Sequence, residues 1–283
     1  MLVAMAAAPL IVLNVEFDDP NLVTRVLDAN APSAGMLKTL HGFRAGIRSL
    51  TGMEELVGLE EVDLHQNEIQ DVSPLEGLLR LHTLHLGINL ITSAESFTEM
   101  PALRHLTLFQ NEIEDVTPLG SLTGLHALHL RYNVLEDISA LAPLTNLREL
   151  TFGNNAIADL GCVAGMEHLT LLNGYFNYIE DVRPLVGLSR LQWLYLGYNR
   201  IRDIEPLFEL PSLRGVHLEG NEALPRSHVE ELQRFLKEKW GESLPPPPPE
   251  PAADGEEPFI KGSTQVPARV LRQRKARAQR RNS

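Results

Sequence analysis

Ten histidines and a single cysteine are the side chains in this sequence best suited to metal or nucleophilic chemistry, and their spacing supports neither. His65, His85 and His105 fall 20 residues apart, which the periodicity described below converts into a diagonal across three adjacent strands. Diagonal neighbours on a sheet lie ~7–8 Å apart, whereas zinc sits ~2.0–2.1 Å from a ligating nitrogen. One neighbouring pair could share an ion, but the three converge poorly. They are therefore read as exposed hydrogen-bonding groups, and no metal and no cofactor is expected. Cys162 has no second cysteine for a disulfide or a CxxC site and is read as an inert thiol. The chain contains no P-loop, no GxSxG and no HExxH, so an enzyme is not expected. What remains is contact chemistry: Phe109, Tyr132, Tyr175, Phe176, Trp193, Tyr195 and Tyr198 are large rings in otherwise polar surroundings. Such residues are what binding anchors are made of.

The elements that must position these residues follow from a repeat. Asn67, Asn89, Asn111, Asn133, Asn155, Asn177, Asn199 and Asn221 recur at one interval of 22 residues. Leu59, Leu81, Leu103, Leu125, Leu147, Leu169, Leu191 and Leu213 keep a second column, and Val62, Leu84, Leu106, Leu128, Leu150, Leu172, Leu194 and Val216 a third. Apolar Val62 and Leu64 alternate with Glu61, Asp63 and His65, the period of a short strand with one buried face. One such turn cannot bury its apolar side alone, so turns must stack and their strands pair in a parallel sheet. Each Asn stands just past a strand, where the chain bends inward. Its amide has two donors and an acceptor for backbone groups that a buried bend would strand. The Asn ladder is thus read as structural.

On the outer side, Asp71, Asp115, Asp137, Asp159, Asp181 and Asp203 form a column that Ser93 interrupts once, with Pro74, Pro118, Pro184 and Pro206 three residues later. Asp as an N-cap and Pro within the first helical turn predict a short helical or 3₁₀ turn in each repeat. Twenty-two residues hold a strand and one such turn, which predicts an open, gently curved arc.

Solenoid ends expose core and need covers. Residues 1–56 are read as an N-terminal cap and a degenerate first repeat: Asp19-Pro20 starts a helix carrying Leu22, Val23, Val26 and Leu27, and Ala45 stands where Asn is due. Residues 57–224 hold eight full repeats. Residues 225–243 form a capping helix opened by Ser227-His228-Val229-Glu230 as a capping box, with Val229, Leu232, Phe235, Leu236 and Trp240 on its apolar stripe. Five prolines at 245–249 begin a stiff acidic linker over 244–260, and residues 261–283 read as a disordered basic tail. Residues 11–17 read as a strand.

The frame L-x-x-L-x-L-x-x-N-x-L, carried over residues 45–224, resembles the leucine-rich-repeat signature. Three stretches narrow it: Phe17-Asp18-Asp19-Pro20-Asn21-Leu22, then Gly46-Ile47-Arg48-Ser49-Leu50-Thr51-Gly52-Met53-Glu54, then Asn67-Glu68-Ile69-Gln70-Asp71-Val72-Ser73-Pro74-Leu75. These resemble the bacterial internalin-type repeat proteins with their helical N-terminal cap. The 22-residue repeat is also similar to that of the nuclear regulatory subunit of protein phosphatase 1. The resemblance implies an α/β fold, a leucine-rich-repeat solenoid in the form of an open horseshoe. A parallel sheet would line its concave face, short or 3₁₀ turns its convex face, and helices would cap it. It further implies a partner-binding surface. A helix, a proline spacer and a basic tail stand where internalins proper carry an immunoglobulin-like domain and often a wall anchor.

Strand positions between the buried leucines face the concave side. There Tyr175, Phe176, Trp193, Tyr195 and Tyr198 concentrate in the sixth and seventh repeats, with Phe109 and Tyr132 further forward. The expected function is a non-catalytic scaffold that binds a protein partner on this face. The alternatives are a regulatory subunit of an enzyme such as a phosphatase, or tethering to nucleic acid or anionic membrane through the tail. The competing view of the rings is mutual packing over a weak point, because Gly174 stands in a column of leucines and Phe152 next to it would fill the gap. Charge is segregated: residues 1–260 hold 17 Lys/Arg against 37 Asp/Glu, and residues 261–283 hold eight Lys/Arg and no acid. An acidic body repels nucleic acid and anionic lipid, so any such contact, a weak one, would run through the tail. A monomer is expected. The lone cysteine fits a reducing compartment, so the expected location is cytoplasmic, although the apolar first 15 residues leave export open.

Overall fold

The computed structural model describes residues 15–241. Helix α1 (Pro20–Asp28) precedes nine three-residue strands: β1 (Thr39–His41), β2 (Glu61–Asp63), β3 (Thr83–His85), β4 (His105–Thr107), β5 (Ala127–His129), β6 (Glu149–Thr151), β7 (Leu171–Asn173), β8 (Trp193–Tyr195) and β9 (Gly215–His217). Helix α2 (Arg226–Trp240) follows. The strands pair in parallel and in chain order in one open sheet, each step shifting the register by one repeat, as in Val62↔Leu84 and Leu172↔Leu194. Eight steps of ~4.8 Å give a concave wall of roughly 38 Å. The opposite side carries short 3₁₀ turns such as Ser73–Leu75, Thr117–Ser121 and Glu205–Glu209. Between the two layers the leucine columns form one continuous buried core from Leu22 to Leu236. This is the expected open leucine-rich-repeat solenoid. The degenerate first repeat supplies a complete strand despite Ala45.

The Asn column stitches each repeat to the one before it. Oδ1 of Asn89 accepts from the N–H of Ile69, that of Asn133 from Ile113 and that of Asn177 from Ile157, at 2.9–3.0 Å. The amide nitrogen of Asn133 donates to the carbonyls of Leu108 and Leu130. One side chain thus joins backbone from two turns of chain inside the core. Ala45 has no amide to give, yet its own N–H and that of Ile47 both donate to Asn67 Oδ1 at 3.0 Å.

Three local expectations need correction. The Asp column does not cap the 3₁₀ turns from the cap position, which core residues such as Val72 and Ile138 occupy. Each Asp sits one residue earlier and accepts from the N–H two residues ahead, Asp71 from Ser73 and Asp137 from Ser139, with Ser93 Oγ doing the same for Glu95. The capping box does not form either: α2 begins at Arg226 behind Pro225, so Ser227 already lies inside the helix and no side chain caps it. Finally, residues 15–17 are irregular and not a strand, although Val15 and Phe17 pack on the core. Residues 1–14, the linker at 244–260 and the basic tail at 261–283 lie outside the described residues.

Both covers are tied down by named bonds. Asp19 Oδ1 caps α1 through the N–H groups of Asn21 and Leu22, while its Oδ2 accepts from Arg48 at 2.6 Å and Ser49 at 3.2 Å in the first repeat. At the other end Leu232 and Leu236 are buried, Phe235 packs on Phe208 at 5.4 Å, and Trp240 Nε1 donates to the carbonyl of Leu213 at 2.7 Å.

Candidate interaction surface

The third residue past each strand is left-handed in every repeat. Arg44, Gln66, Ile88, Gln110, Tyr132, Asn154, Phe176 and Tyr198 have φ from 50° to 59°, and Gly220 closes the series at 73°. Here the strand ends and the chain must swing into the bend while its N–H still reaches the next strand, as Gln66 N does to Gly87 O and Tyr198 N to Glu219 O. Only Asn154 and Gly220 are residue types that this conformation favours. Keeping an aromatic or β-branched residue there costs about 1 kcal/mol. The rings of Tyr132, Phe176 and Tyr198 are thus held at sites where the backbone alone would call for Asn or Gly.

A second regularity fixes the rings. Each of four aromatics lies over a glycine one repeat ahead of or behind it. A Cβ added to Gly87 would collide with Phe109, one on Gly197 with Tyr175, and one on Gly215 with Trp193, while on Gly220 it would fall 2.6 Å from Tyr198. Tyr175 crosses Gly197 so that its hydroxyl donates to Glu219 Oε1 at 2.7 Å, two strands away. The rings also meet each other. Phe176 and Tyr198 stack at 4.3 Å and 14°, and Tyr175 stands edge-on to both, at 4.9 and 5.3 Å. Beside them opens a cavity of about 400 Å³ walled by Phe176 and Tyr198 on one side and Tyr178, Arg200 and Arg202 on the other.

The structure therefore brings Tyr175, Phe176 and Tyr198 into one half-buried cluster, with half-buried Trp193 on the same sheet. Tyr195 differs: it is 7% exposed and stacks on His217 at 4.9 Å, so it offers a partner little surface. Phe109 lies apart, against His65 at 5.5 Å, and Tyr132 carries the Arg131 guanidinium 5.4 Å from its ring centre. Phe152 fills the gap at Gly174 as anticipated: it is fully buried, its ring edge 2.8 Å from where a Cβ on Gly174 would be. His65 lies stacked on His85 at 5.1 Å and hydrogen-bonds Asp63 at 2.9 Å. Among the described residues no group of three or more His, Cys, Asp or Glu is placed to hold a metal ion.

Sequence reasoning missed the left-handed column, whose signal is confined to Asn154 and Gly220. It also missed the supporting glycines, for which a signal exists. Gly87, Gly197, Gly215 and Gly220 each stand 22 residues from the ring that they support.

Comparison with known proteins places this geometry. Leucine-rich-repeat family descriptions match residues 57–113 and, as two copies, 101–143. No curated protein matches the chain in sequence. Among solved structures the chain is similar to internalin C2 of Listeria monocytogenes, with 32% identity and a TM-score of 0.68 over 74% of this chain and 95% of that one. It also shares the fold of a leucine-rich-repeat protein of Leptospira interrogans (22% identity, TM-score 0.60, 65% of this chain and 55% of that one). A plant peptide hormone receptor in complex with RGF2 has the same fold (20% identity, TM-score 0.54, 67% and 35% covered).

Proposed function

Because this chain belongs to the internalin-type leucine-rich-repeat proteins, a fold that generally serves protein–protein interaction, we propose that it is a non-catalytic scaffold that docks a protein partner on its concave face. Tyr175, Phe176, Trp193 and Tyr198 are its anchors. One observation carries the reading: Phe176 and Tyr198 occupy left-handed positions that disfavour them, yet stack on each other and stay partly exposed. A purely structural role would be met better by Asn, as at Asn154 in the same column. A wall of roughly 38 Å accommodates a standard interface of ~800 Å² per partner.

The left-handed backbone supplies a clean test. Phe176→Asn with Tyr198→Asn removes both rings while relieving backbone strain, so the fold should persist. The expected result is a melting temperature equal to or above that of the parent, with recovery of the native partner, measured by affinity purification and mass spectrometry from the source cell, reduced at least ten-fold. Undiminished recovery would remove these anchors.

A further inference from the structure

A second polar feature of the concave wall lies outside the aromatic cluster. In the column that faces the hollow, His85, Thr107, His129 and Thr151 alternate over β3 to β6, and each imidazole is bonded sideways to the threonine of the next strand. His85 Nδ1 meets Thr107 Oγ1 at 3.0 Å and His129 Nδ1 meets Thr151 Oγ1 at 3.1 Å. With Nδ1 engaged, Nε2 remains as the ring's outward polar atom. When the hydroxyl donates to Nδ1, the proton of the neutral ring is on Nε2; when the ring is charged, both nitrogens carry protons. In both of these states Nε2 presents an N–H donor, whereas the neutral tautomer protonated on Nδ1 would present an acceptor; a bound carboxylate selects the donor states. His105 and His126 stand where β4 and β5 begin, edge to face at 6.3 Å, and these four rings with Arg148 and Glu149 wall a cavity of about 410 Å³. No ion pair joins Glu149 to Arg148 or to these rings among the described residues.

The wider charge pattern points the same way. The residues entering successive strands here are His82, Arg104, His126 and Arg148, and Glu149 is the one acid beside them in these repeats, whereas Glu112, Glu114, Asp115, Glu136 and Asp137 follow the bend at the other end of the strand. Some eight residues of chain separate the two edges, roughly 20 Å, beyond the ~8 Å over which charges act at physiological salt. Within a net acidic molecule, this stretch of the concave wall is locally basic.

We infer that His85, His105, His126, His129 and Arg148 form an anion subsite that receives carboxylate side chains of an acidic segment of the docked protein. The inference deepens the reading of the concave face as a docking surface and rests on it. The subsite on β5 lies three strands, roughly 14 Å, from Trp193 on β8, so the partner segment carries its acidic residues about that far from its apolar ones. Before a partner binds, His85, His126 and His129 resist charging. Burial holds His129 down to about 4, with Arg131, His85, His105 and His65 adding to it. Burial also lowers His126, joined by Arg148, Arg104 and His105. His85 is lowered by burial, then by His65 and His105, against the opposing pull of Asp63 and Glu61. A bound carboxylate favours the charged imidazole. The complex therefore holds more protons than its parts, and affinity rises as pH falls below the ordinary histidine value of ~6.5.

The probe is fluorescein-labelled hexa-aspartate, whose carboxylates, with pKa values near 3.9, stay ionised at the lower pH. Its anisotropy is titrated with the full chain at pH 7.5 and 5.5. Binding is expected to tighten at least ten-fold at pH 5.5, and H126Q/R148Q, an exposed-edge change, is expected to weaken it at least ten-fold. H85Q/H129Q keeps an N–H donor at each position and is expected to flatten the pH dependence. E149Q is expected to tighten binding. The Phe176→Asn/Tyr198→Asn variant should leave hexa-aspartate binding unchanged, so failure of the aromatic anchors and failure of this subsite are told apart. Equal affinity at both pH values, insensitivity to H126Q/R148Q, or equal binding of hexalysine would overturn the subsite. A ten-fold gain from E256Q/E257Q in the full chain would make the chain's own acidic segment the occupant and overturn the partner assignment.

Discussion

A single amide in this molecule satisfies backbone groups from two turns of chain. Asn133, fully buried, holds the N–H of Ile113 and the carbonyls of Leu108 and Leu130. Truncating it leaves these groups buried and unpaired at about 1–3 kcal/mol each. Asn133→Ala is therefore expected to lower stability by about 3 kcal/mol or more in urea-induced unfolding, with unchanged cooperativity. Cys162 makes the opposite case, a reactive residue type in an unreactive setting. Burial first, and then the nearby Asp159 and Asp137, push its thiol up to about 12. At pH 8 the folded protein is expected to resist a thiol reagent for as long as it stays folded, and to react stoichiometrically once denatured. The sequence made both residues legible, the Asn through its unbroken period and the Cys through its lack of a partner. It could not show that Tyr195 is buried, because exposure at that column depends on the ring at His217 stacking over it.

At the scale of elements, the period of 22 makes strands, turns and their order legible, whereas termini follow local bonding that the period does not encode. The box at Ser227 fails because Pro225 takes the cap position, two residues earlier. The cap at Asp19 succeeds because a carboxylate has a second oxygen, which reaches Arg48 and Ser49 across the chain. Burial pushes the Asp19 carboxyl up, but the four backbone N–H donors outweigh it and hold it below the ordinary value of 3.8. A carboxyl depressed in the folded state stabilises above its unfolded pKa, and that contribution disappears as pH falls through the folded pKa. The cap helix should therefore loosen below about pH 4, ahead of the repeats. Asp19→Ala is expected to cost about 2 kcal/mol at pH 7 and to bring hydrogen exchange in α1 forward at that pH.

Among the described residues the backbone and Asn bonds run between neighbouring turns and recur from junction to junction, with the Tyr175–Glu219 bond spanning two. Asn111 to Ile91 and Asn133 to Ile113 are interchangeable links. Excising residues 112–133 joins Asn111 to Val134 and re-creates each link at the new junction. The shortened chain is expected to fold, retain its circular-dichroism shape and melt a few degrees lower, since stability in such arrays is close to a sum over units. A failure to fold would mean that one repeat holds the rest. The charge layout also spans several repeats: Glu112, Glu114, Glu136 and Asp137 line the rim after the bend, while His82, Arg104, His126 and Arg148 line the rim where strands begin. Their alternation is visible in the sequence only once the repeat is aligned.

The glycines beneath Tyr175, Trp193 and Tyr198 have one more consequence. A ring seated on a neighbour's bare backbone has already surrendered its rotamer freedom during folding. Immobilising such a side chain at an interface ordinarily costs about 0.5–1.5 kcal/mol. For these rings that loss is incurred before any encounter, so the surface is preorganised, and a partner meets it in the shape that it will keep.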